Sequence, residues 1–452
     1  MSEGALDNYH GAAAKWLQEQ GIKIWSQVTI ISEKGVFKGI LLPRGEQGDD
    51  QHIVVKLRNG YNIGIKIETI KEIKETGEIE PSYKIPEKEI EKAPDKPTVV
   101  LIGTGGTVAS KIDYQSGAVV PAFSTQELFH AIPELQEIAN LETTSIFQIL
   151  SENIQPDHWI QLTNEIVNSI EKLDPAGVVI AHGTDTIHFT AAALSFMIKN
   201  LDRPIVLVGA QRSSDRPSSD AAINLLSSVQ IASTSDIAEV VVCMHGSASD
   251  DYNLVHRGTR VRKMHTSRRD AFKTIGDLPL AKVIDGKIIS SGIPYTKRQT
   301  RRAKIEIDTR IDQEVALVYS YPGLKPEVLN YFIDQEYSGI VLAGTGLGHI
   351  HQKFLPIIER AQEADIPIFM TSQCIWGFTS MNVYETGRLL KKAGVIPLGD
   401  MLPEVALVKA MWVLGHTKEI PFVKELMQKN LAGEITDRET FNGFQIGQSN
   451  IL

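Results

Sequence analysis

Residues 99–107 read VVLIGTGGT, and residues 177–186 read GVVIAHGTDT. In both stretches a run of aliphatic residues ends in a loop rich in glycine and threonine. A continuous apolar run of this kind is typical of a parallel sheet covered on both faces, and ligands of such sheets bind at the carboxyl ends of the strands. If both strands belong to one sheet, Thr107 and Thr184 face the same edge.

Similar apolar runs recur along the chain, with amphipathic helical patterns between several of them. Strands are predicted at residues 99–102, 177–180, 205–208, 240–244, 315–319, 339–342 and 367–370, and helices at residues 159–173 and 190–200. This alternation indicates an α/β protein with parallel sheets. The sequence divides into a larger domain at residues 98–294, an irregular connection at 295–312 and a smaller domain at 313–452.

The first part of the chain has a different pattern. Short runs rich in β-branched residues lie at 22–31, 36–42, 53–57 and 61–67, and Asn59-Gly60 is a strong hairpin signal. Residues 21–70 are therefore predicted to form a small all-β module, most simply a barrel. An N-terminal extension, residues 1–20, precedes it, and residues 71–97, rich in Lys, Glu and Pro, are predicted as an exposed linker.

Composition restricts the function. The net charge of −9 and the lack of a long Lys/Arg block argue against a chain that binds a nucleic-acid backbone by itself. Cys243 and Cys374 are the only cysteines, which fits a reducing compartment, and no zinc-ligand spacing occurs. Neither a signal peptide nor an apolar stretch of membrane-spanning length is evident, so the sequence predicts a cytoplasmic protein.

The two loops suggest hydroxyl chemistry. Glycines at strand ends let backbone N–H groups approach a ligand, as an oxyanion hole requires. A threonine hydroxyl becomes a nucleophile only when a neighbour removes its proton. Asp185 follows Thr184, and Lys273 lies beside the apolar Phe272, where a desolvated, neutral lysine could accept a proton. Thr184, Lys273 and Asp185 would then form a hydroxyl, base and carboxylate group.

The pattern alone leaves other interpretations open. Gly103 and Gly105 could begin a dinucleotide-binding loop, although Val108 stands where the third glycine belongs, and no P-loop ending follows. His182, Asp185 and His188 could suggest a metal site. A lysine such as Lys273 is ordinarily a solvated surface charge.

Longer motifs are more specific. Residues 102–109, IGTGGTVA, and residues 181–186, AHGTDT, resemble the two signatures of the bacterial-type L-asparaginases. The similarity continues at residues 113–117, 149–152, 209–212, 271–273 and 343–346. It extends from about residue 97 to the C-terminus and implies the two-domain L-asparaginase fold, an α/β fold with parallel sheets.

The resemblance implies catalytic roles. Thr107 would be the primary nucleophile, and Tyr114 would assist it from a lid over the site. Thr184, Asp185 and Lys273 would form a second catalytic group that relays protons and positions water.

The resemblance also implies a substrate pocket. Ser151 and Glu152 would bind the α-carboxylate and α-amino groups of the substrate amino acid, and Asp185 would also hold the ammonium. Leu347 stands where many of these enzymes place an asparagine that reaches a neighbouring subunit's site. No residue of the smaller domain is therefore assigned a catalytic role.

The barrel distinguishes this chain from a free-standing asparaginase. Together with residues 39–44, GILLPR, and 381–388, MNVYETGR, it resembles the D subunits of archaeal glutamyl-tRNA(Gln) amidotransferases. This resemblance implies a glutaminase without a cofactor of its own, forming the homodimeric core of a heterotetramer. Its ammonia would pass to an E subunit that binds most of the tRNA and uses ATP and Mg²⁺ to amidate the misacylated glutamate.

Three alternatives remain at this point. The chain could be a stand-alone L-asparaginase or glutaminase, a dinucleotide-dependent dehydrogenase, or an RNA-binding module fused to a degenerate hydrolase. The charges of residues 21–70 nearly balance, and no run of stacking aromatics suits single-stranded RNA. These features favour docking of a protein partner on the barrel.

Overall fold

The computed structural model describes residues 9–44, 48–57, 62–78, 93–105, 110–112, 119–121, 128, 132–212, 219–298 and 304–438. The predictions for Thr107 and Tyr114, the turn at Asn59-Gly60 and most of the predicted linker lie outside these residues.

The N-terminal module combines one helix with an antiparallel sheet. Its elements are α1 (Gly11–Gln20), β1 (Ser26–Ser32), β2 (Gly35–Leu41), β3 (His52–Leu57), β4 (Asn62–Lys66) and β5 (Ile70–Glu78). The sheet order is β4-β3-β2-β1-β5, and α1 buries Ala13 and Leu17 in the same apolar core as Val28 and Ile53. The antiparallel sheet confirms the predicted all-β module, and α1, from the predicted N-terminal extension, packs against it.

The boundary between the module and the linker was predicted too early. Residues 71–78 form most of β5, which pairs with β1 so that Ile73 lies opposite Ile30. Ile70 and Ile73 pack against the core, while the residues around them are mainly charged. An edge strand with one solvated face has the composition of a linker, which explains the difference.

The larger domain is built on an eight-stranded sheet. The strands of this domain are β6 (Thr98–Gly103), β7 (Ser110–Ile112), β8 (Val119–Pro121), β9 (Asn140–Ser145), β10 (Gly177–Ala181), β11 (Ile198–Lys199), β12 (Ile205–Val208), β13 (Val240–His245), β14 (Asn253–Arg257), β15 (Val261–Lys263), β16 (Phe272–Thr274), β17 (Ala281–Ile284), β18 (Lys287–Ser290) and β19 (Glu306–Ile307). The helices are α2 (Leu135–Ile138), α3 (Pro156–Leu173), α4 (Ile187–Met197) and α5 (Ala221–Thr234).

The order of this sheet is β18-β17-β14-β13-β12-β10-β6-β9. The strands from β9 to β13 in that order are parallel, and β14, β17 and β18 extend the sheet in antiparallel pairs. Val99 and Leu101 face the side covered by α5, and Val100 and Ile102 face α3 and α4. Because successive side chains point to opposite faces, a strand buried on both sides is apolar throughout.

The smaller domain has a four-stranded parallel sheet. Its strands are β20 (Val315–Tyr319), β21 (Gly339–Gly344), β22 (Ile368–Ser372) and β23 (Ile396–Pro397), and its helices are α6 (Glu327–Asp334), α7 (Leu355–Glu363), α8 (Glu385–Lys392), α9 (Pro403–Leu414) and α10 (Ile420–Gln428). Helix α9 is almost wholly buried, because it packs in one apolar cluster with both this sheet and α4 of the larger domain. None of the helices in the described parts of the chain has the length and apolar character needed to cross a membrane.

Candidate active site

The loops after β6 and β10 leave the sheet side by side. Gly103 is the register partner of Ala181, and both the backbone N–H and the hydroxyl of Thr104 donate hydrogen bonds to the Ala181 carbonyl, at 3.0 Å each. Gly105 has a φ of 109°, and a Cβ there would lie 2.2 Å from the Ile149 carbonyl oxygen. Only glycine fits this position, which brings the backbone close to the edge of the sheet.

The short turn Ser151–Asn153 packs against the loop after β10. The hydroxyl of Thr186 donates to the Ser151 carbonyl at 2.7 Å, and a Cβ on Gly183 would lie 2.7 Å from Ser151 Oγ. Ser151 is buried, whereas the neighbouring Glu152 is exposed. The structure thus brings these two predicted substrate-binding residues to the edge that carries Thr184, and their role in binding remains a prediction.

A lysine joins Thr184 to Asp185. Lys263 Nζ donates hydrogen bonds to Thr184 Oγ1 at 2.9 Å and to Asp185 Oδ1 at 2.7 Å. The Lys263 side chain is 10% exposed and that of Asp185 is 65% exposed. A hydroxyl, an amine and a carboxylate are therefore in contact here, an arrangement that can transfer a proton from the hydroxyl when the amine is neutral.

The lysine in this group is Lys263, and the structure corrects the prediction of Lys273. Lys273 Nζ instead contacts Asp270, at 3.4 Å. In the hairpin of β15 and β16, Lys263 pairs with Phe272 and Arg262 pairs with Lys273. Cross-strand partners share a face and successive residues alternate, so the two lysines point to opposite faces of the hairpin.

The sequence favoured Lys273 over Lys263 because Lys273 has apolar neighbours, which are expected beside a desolvated lysine. The sequence around Lys263, VRKMH, carries no feature that marks a buried lysine. Only the pairing of β15 with β16 shows which of the two lysines faces Thr184.

Three histidines of the larger domain, His182, His188 and His256, are buried. His182 is fully buried, with Nδ1 2.7 Å from the Gly183 carbonyl and Nε2 2.9 Å from Thr190 Oγ1. Burial lowers its pKa to about 4, against the opposing effect of the bond to Gly183. Both ring nitrogens are engaged, and no group of three or more His, Cys, Asp or Glu residues suited to a metal occurs in the described residues.

His188 and His256 are also held neutral. Burial, reinforced by the positive charge of Arg262, lowers the pKa of His188 to about 3. Burial, reinforced by Lys273, lowers the pKa of His256 to about 3 as well.

These three histidines predict acid sensitivity. Their folded-state pKa values lie below the value of about 6.5 expected in the unfolded chain, so unfolding takes up protons below that pH. Their stabilisation is complete above pH 6.5 and is lost as the pH falls toward 4 and then 3. We expect each to cost about 2 kcal/mol of unfolding free energy between pH 7 and pH 5. Denaturant titrations at both pH values measure this, and His256→Gln should remove one histidine's share. If the free energy of unfolding were the same at pH 5 and pH 7, the three histidines would not be neutral in the folded protein.

Comparisons with protein families cover most of the chain. Residues 98–293 match the family model "Asparaginase, N-terminal", residues 314–427 match "Glutaminase/Asparaginase C-terminal domain", and residues 22–75 match "GatD N-terminal domain".

Relatives match almost the whole length. The chain is 49% identical to the D subunit of a glutamyl-tRNA(Gln) amidotransferase from Methanopyrus kandleri, over 97% of each chain. It is 50% identical to the protein of the same name from Pyrococcus horikoshii, over 95% of this chain and 99% of the relative.

Solved structures match about three quarters of the chain. A thermostable L-asparaginase from Thermococcus kodakarensis superimposes with a TM-score of 0.67 and 32% identity, covering 75% of this chain and 99% of its own. L-asparaginase I from Vibrio cholerae gives a TM-score of 0.66 and 27% identity with the same coverage.

Proposed function

The chain belongs to the family of glutamyl-tRNA(Gln) amidotransferase D subunits, whose body is an L-asparaginase fold, and we propose that it hydrolyses L-glutamine to glutamate and ammonia. The observation that carries this proposal is the contact of Lys263 with both Thr184 and Asp185 at the carboxyl edge of the sheet. The ammonia is used by a partner protein to convert Glu-tRNA(Gln) to Gln-tRNA(Gln).

The reaction proceeds in two steps in this proposal. The hydroxyl of Thr107 attacks the side-chain carbonyl carbon of glutamine, its proton is passed to the leaving nitrogen, and ammonia departs as a glutamyl ester forms on the enzyme. Water then attacks that ester, and free glutamate leaves as the Thr107 hydroxyl is restored. Thr184, Lys263 and Asp185 relay the proton, and Tyr114 assists Thr107.

Substrate binding uses the exposed carboxylates at this edge. Glu152 and Asp185 hold the α-ammonium of glutamine, and Ser151 holds its α-carboxylate. Both carboxylate side chains are exposed, while Ser151 lies directly against the loop of Gly183. Binding the ammonium and the carboxylate of glutamine to different residues fixes the orientation of the substrate in the site.

In this proposal a partner subunit binds the other substrates of the amidation. We propose that two copies form the core of a heterotetramer with the E subunit in the cytoplasm, and that the E subunit binds ATP, Mg²⁺ and most of the tRNA. The net charge of −9 supports this division, because phosphate binding requires clustered positive charge. The N-terminal module is the docking surface for the E subunit.

Coupling between the subunits is the test of this function. Glutamine hydrolysis should be slow in the isolated chain and faster with the E subunit and misacylated tRNA, because a partner shifts a conformational equilibrium by its differential affinity for the two states. The rate is measured for the full chain and for a chain lacking residues 1–78, each with and without the partner and tRNA. The deletion ends at 78 because β5 continues to Glu78 and would otherwise lose its partner strand.

The truncated chain is expected to remain folded and to lose most of the acceleration. The solved L-asparaginases match only 75% of this chain although 99% of their own length is covered, so a fold of this kind forms in a shorter chain. Equal rates in all four mixtures, with the complex shown to assemble, would instead identify a stand-alone L-asparaginase or glutaminase.

A further inference from the structure

The hairpin that carries Lys263 is tied to the smaller domain. Arg260 Nη1 lies 2.8 Å from Asp400 Oδ2, and its Nε donates to the Gly433 carbonyl at 3.0 Å. The hydroxyl of Thr259 donates to the Ala432 carbonyl at 2.8 Å. These contacts hold the beginning of β15.

A second ion pair is made by the middle residue of this strand, directly beside Lys263. Arg262 Nη1 lies 3.2 Å from Glu404 Oε2 in the first turn of α9. The Glu404 side chain is only 4% exposed and that of Arg262 is 26% exposed. Removing a carboxylate from water costs free energy, which an ion pair recovers only in part. A buried ion pair is therefore weak evidence that its residues serve to stabilise the fold.

Glu404 is held in an unfavourable position. Burial raises its pKa, and the nearby charge of Arg262 opposes that shift. Its second oxygen, Oε1, is buried and has no hydrogen-bond partner among the residues that the structure describes. A buried carboxylate with an oxygen that lacks a hydrogen-bond partner is uncommon in folded proteins, so its presence needs an explanation other than packing.

The geometry of β15 supplies that role. Successive residues of a strand point to opposite faces, so Arg262 points toward the smaller domain and Lys263 toward Thr184. The backbone of β15 thus joins the contact of Arg262 with α9 directly to the contact of Lys263 with Thr184. The Arg262–Glu404 pair acts on one face of the strand and the proton-transfer contact lies on the other.

We propose that Arg262 and Glu404 are positioning residues for amide hydrolysis, and that their ion pair holds Lys263 within reach of Thr184 and Asp185. This inference rests on the proposed function, since it assigns Lys263 to proton transfer. It means that the smaller domain sets the efficiency of a proton relay whose members all lie in the larger domain.

The variants Glu404→Gln and Arg262→Gln test the proposal in the complete assembly with the E subunit and misacylated tRNA. Each should lower kcat for glutamine about 10-fold or more while KM changes little, because a misplacement of about 1 Å can cost 100-fold in rate. The double variant should lose no more than either single variant, since both remove the same contact. Arg262→Lys, which keeps the charge, should restore most of the activity.

A matched control separates positioning from general destabilisation. Asp202→Asn removes the charge from the Asp202–Arg203 pair, which is similarly buried and lies just before β12, at the opposite end of the strands. Asp202→Asn should lower the melting temperature. Its kcat, measured well below that temperature, should equal that of the wild type.

The outcomes are distinct. A kcat unchanged in the folded Arg262→Gln and Glu404→Gln proteins, or reduced equally in Asp202→Asn, overturns the positioning role. If Arg262→Gln does not fold because it leaves the buried Glu404 carboxylate unpaired, Glu404→Gln decides alone, since it leaves unpaired only the more exposed Arg262. A wild-type assembly that does not hydrolyse glutamine refutes the proposed function instead.

Discussion

Replacing Lys263 by methionine is expected to lower kcat for glutamine hydrolysis by about 10³-fold with little change in KM, because a positioned proton acceptor typically contributes 10²- to 10⁴-fold. Methionine keeps the length of the side chain and removes the amine that contacts Thr184 Oγ1 and Asp185 Oδ1. The measurement is steady-state glutaminase activity of the complete assembly, with ammonia as the product detected.

Lys273→Met is the matched control for Lys263→Met. Lys273 lies in the adjacent strand of the same hairpin but points to the other face and contacts Asp270. Its replacement should leave kcat close to that of the wild type. A large loss in Lys273→Met together with an active Lys263→Met would restore the assignment made from the sequence and reject the one made from the structure. A rise in KM alone for Lys263→Met would make Lys263 a binding charge.

The parallel strands β6, β10, β12 and β13 of the larger domain were predictable because each is a continuous apolar run, whereas β9, β14, β17 and β18 of the same sheet were not predicted. Residues 99–102 and 177–180 are apolar at every position, and the structure buries them between helices on both faces. Local composition was sufficient there, since burial on both sides leaves no position for a polar residue. In β5 the same reasoning failed, because an edge strand with one solvated face needs few apolar residues.

The active-site edge was predictable only in part. Thr184 and Asp185 follow a recognisable strand, and the parallel order of β6 and β10 brings their loops together. Lys263 arrives from a hairpin almost 80 residues later, so its contact depends on the pairing of β15 with β16 and on the packing of that hairpin. A long-range contact made by a single side chain leaves no periodic pattern in the sequence. The ion pair of Arg262 with Glu404, 142 positions apart, is hidden for the same reason.

The roles of the two threonines lead to the largest expected effect. Thr107→Val deletes the proposed nucleophilic hydroxyl and should lower kcat by about 10⁴-fold or more, since loss of a covalent nucleophile removes the pathway itself. Valine has nearly the shape of threonine, so folding should be retained, which a melting curve of the purified variant checks.

Thr184→Val should behave differently from Thr107→Val, although both remove one hydroxyl. Thr184 contacts Lys263 and so belongs to the proton relay, whose loss slows both the formation and the hydrolysis of the glutamyl ester without removing the nucleophile. A glutamyl adduct on Thr107 should therefore be detectable by mass spectrometry of rapidly quenched Thr184→Val and absent from Thr107→Val. If Thr107→Val instead keeps more than about a tenth of wild-type kcat, or if an adduct found in Thr107→Val maps to Thr184, the nucleophile is Thr184, because an enzyme cannot tolerate loss of its covalent nucleophile to that degree. Lys263 would then be the base that directly activates it.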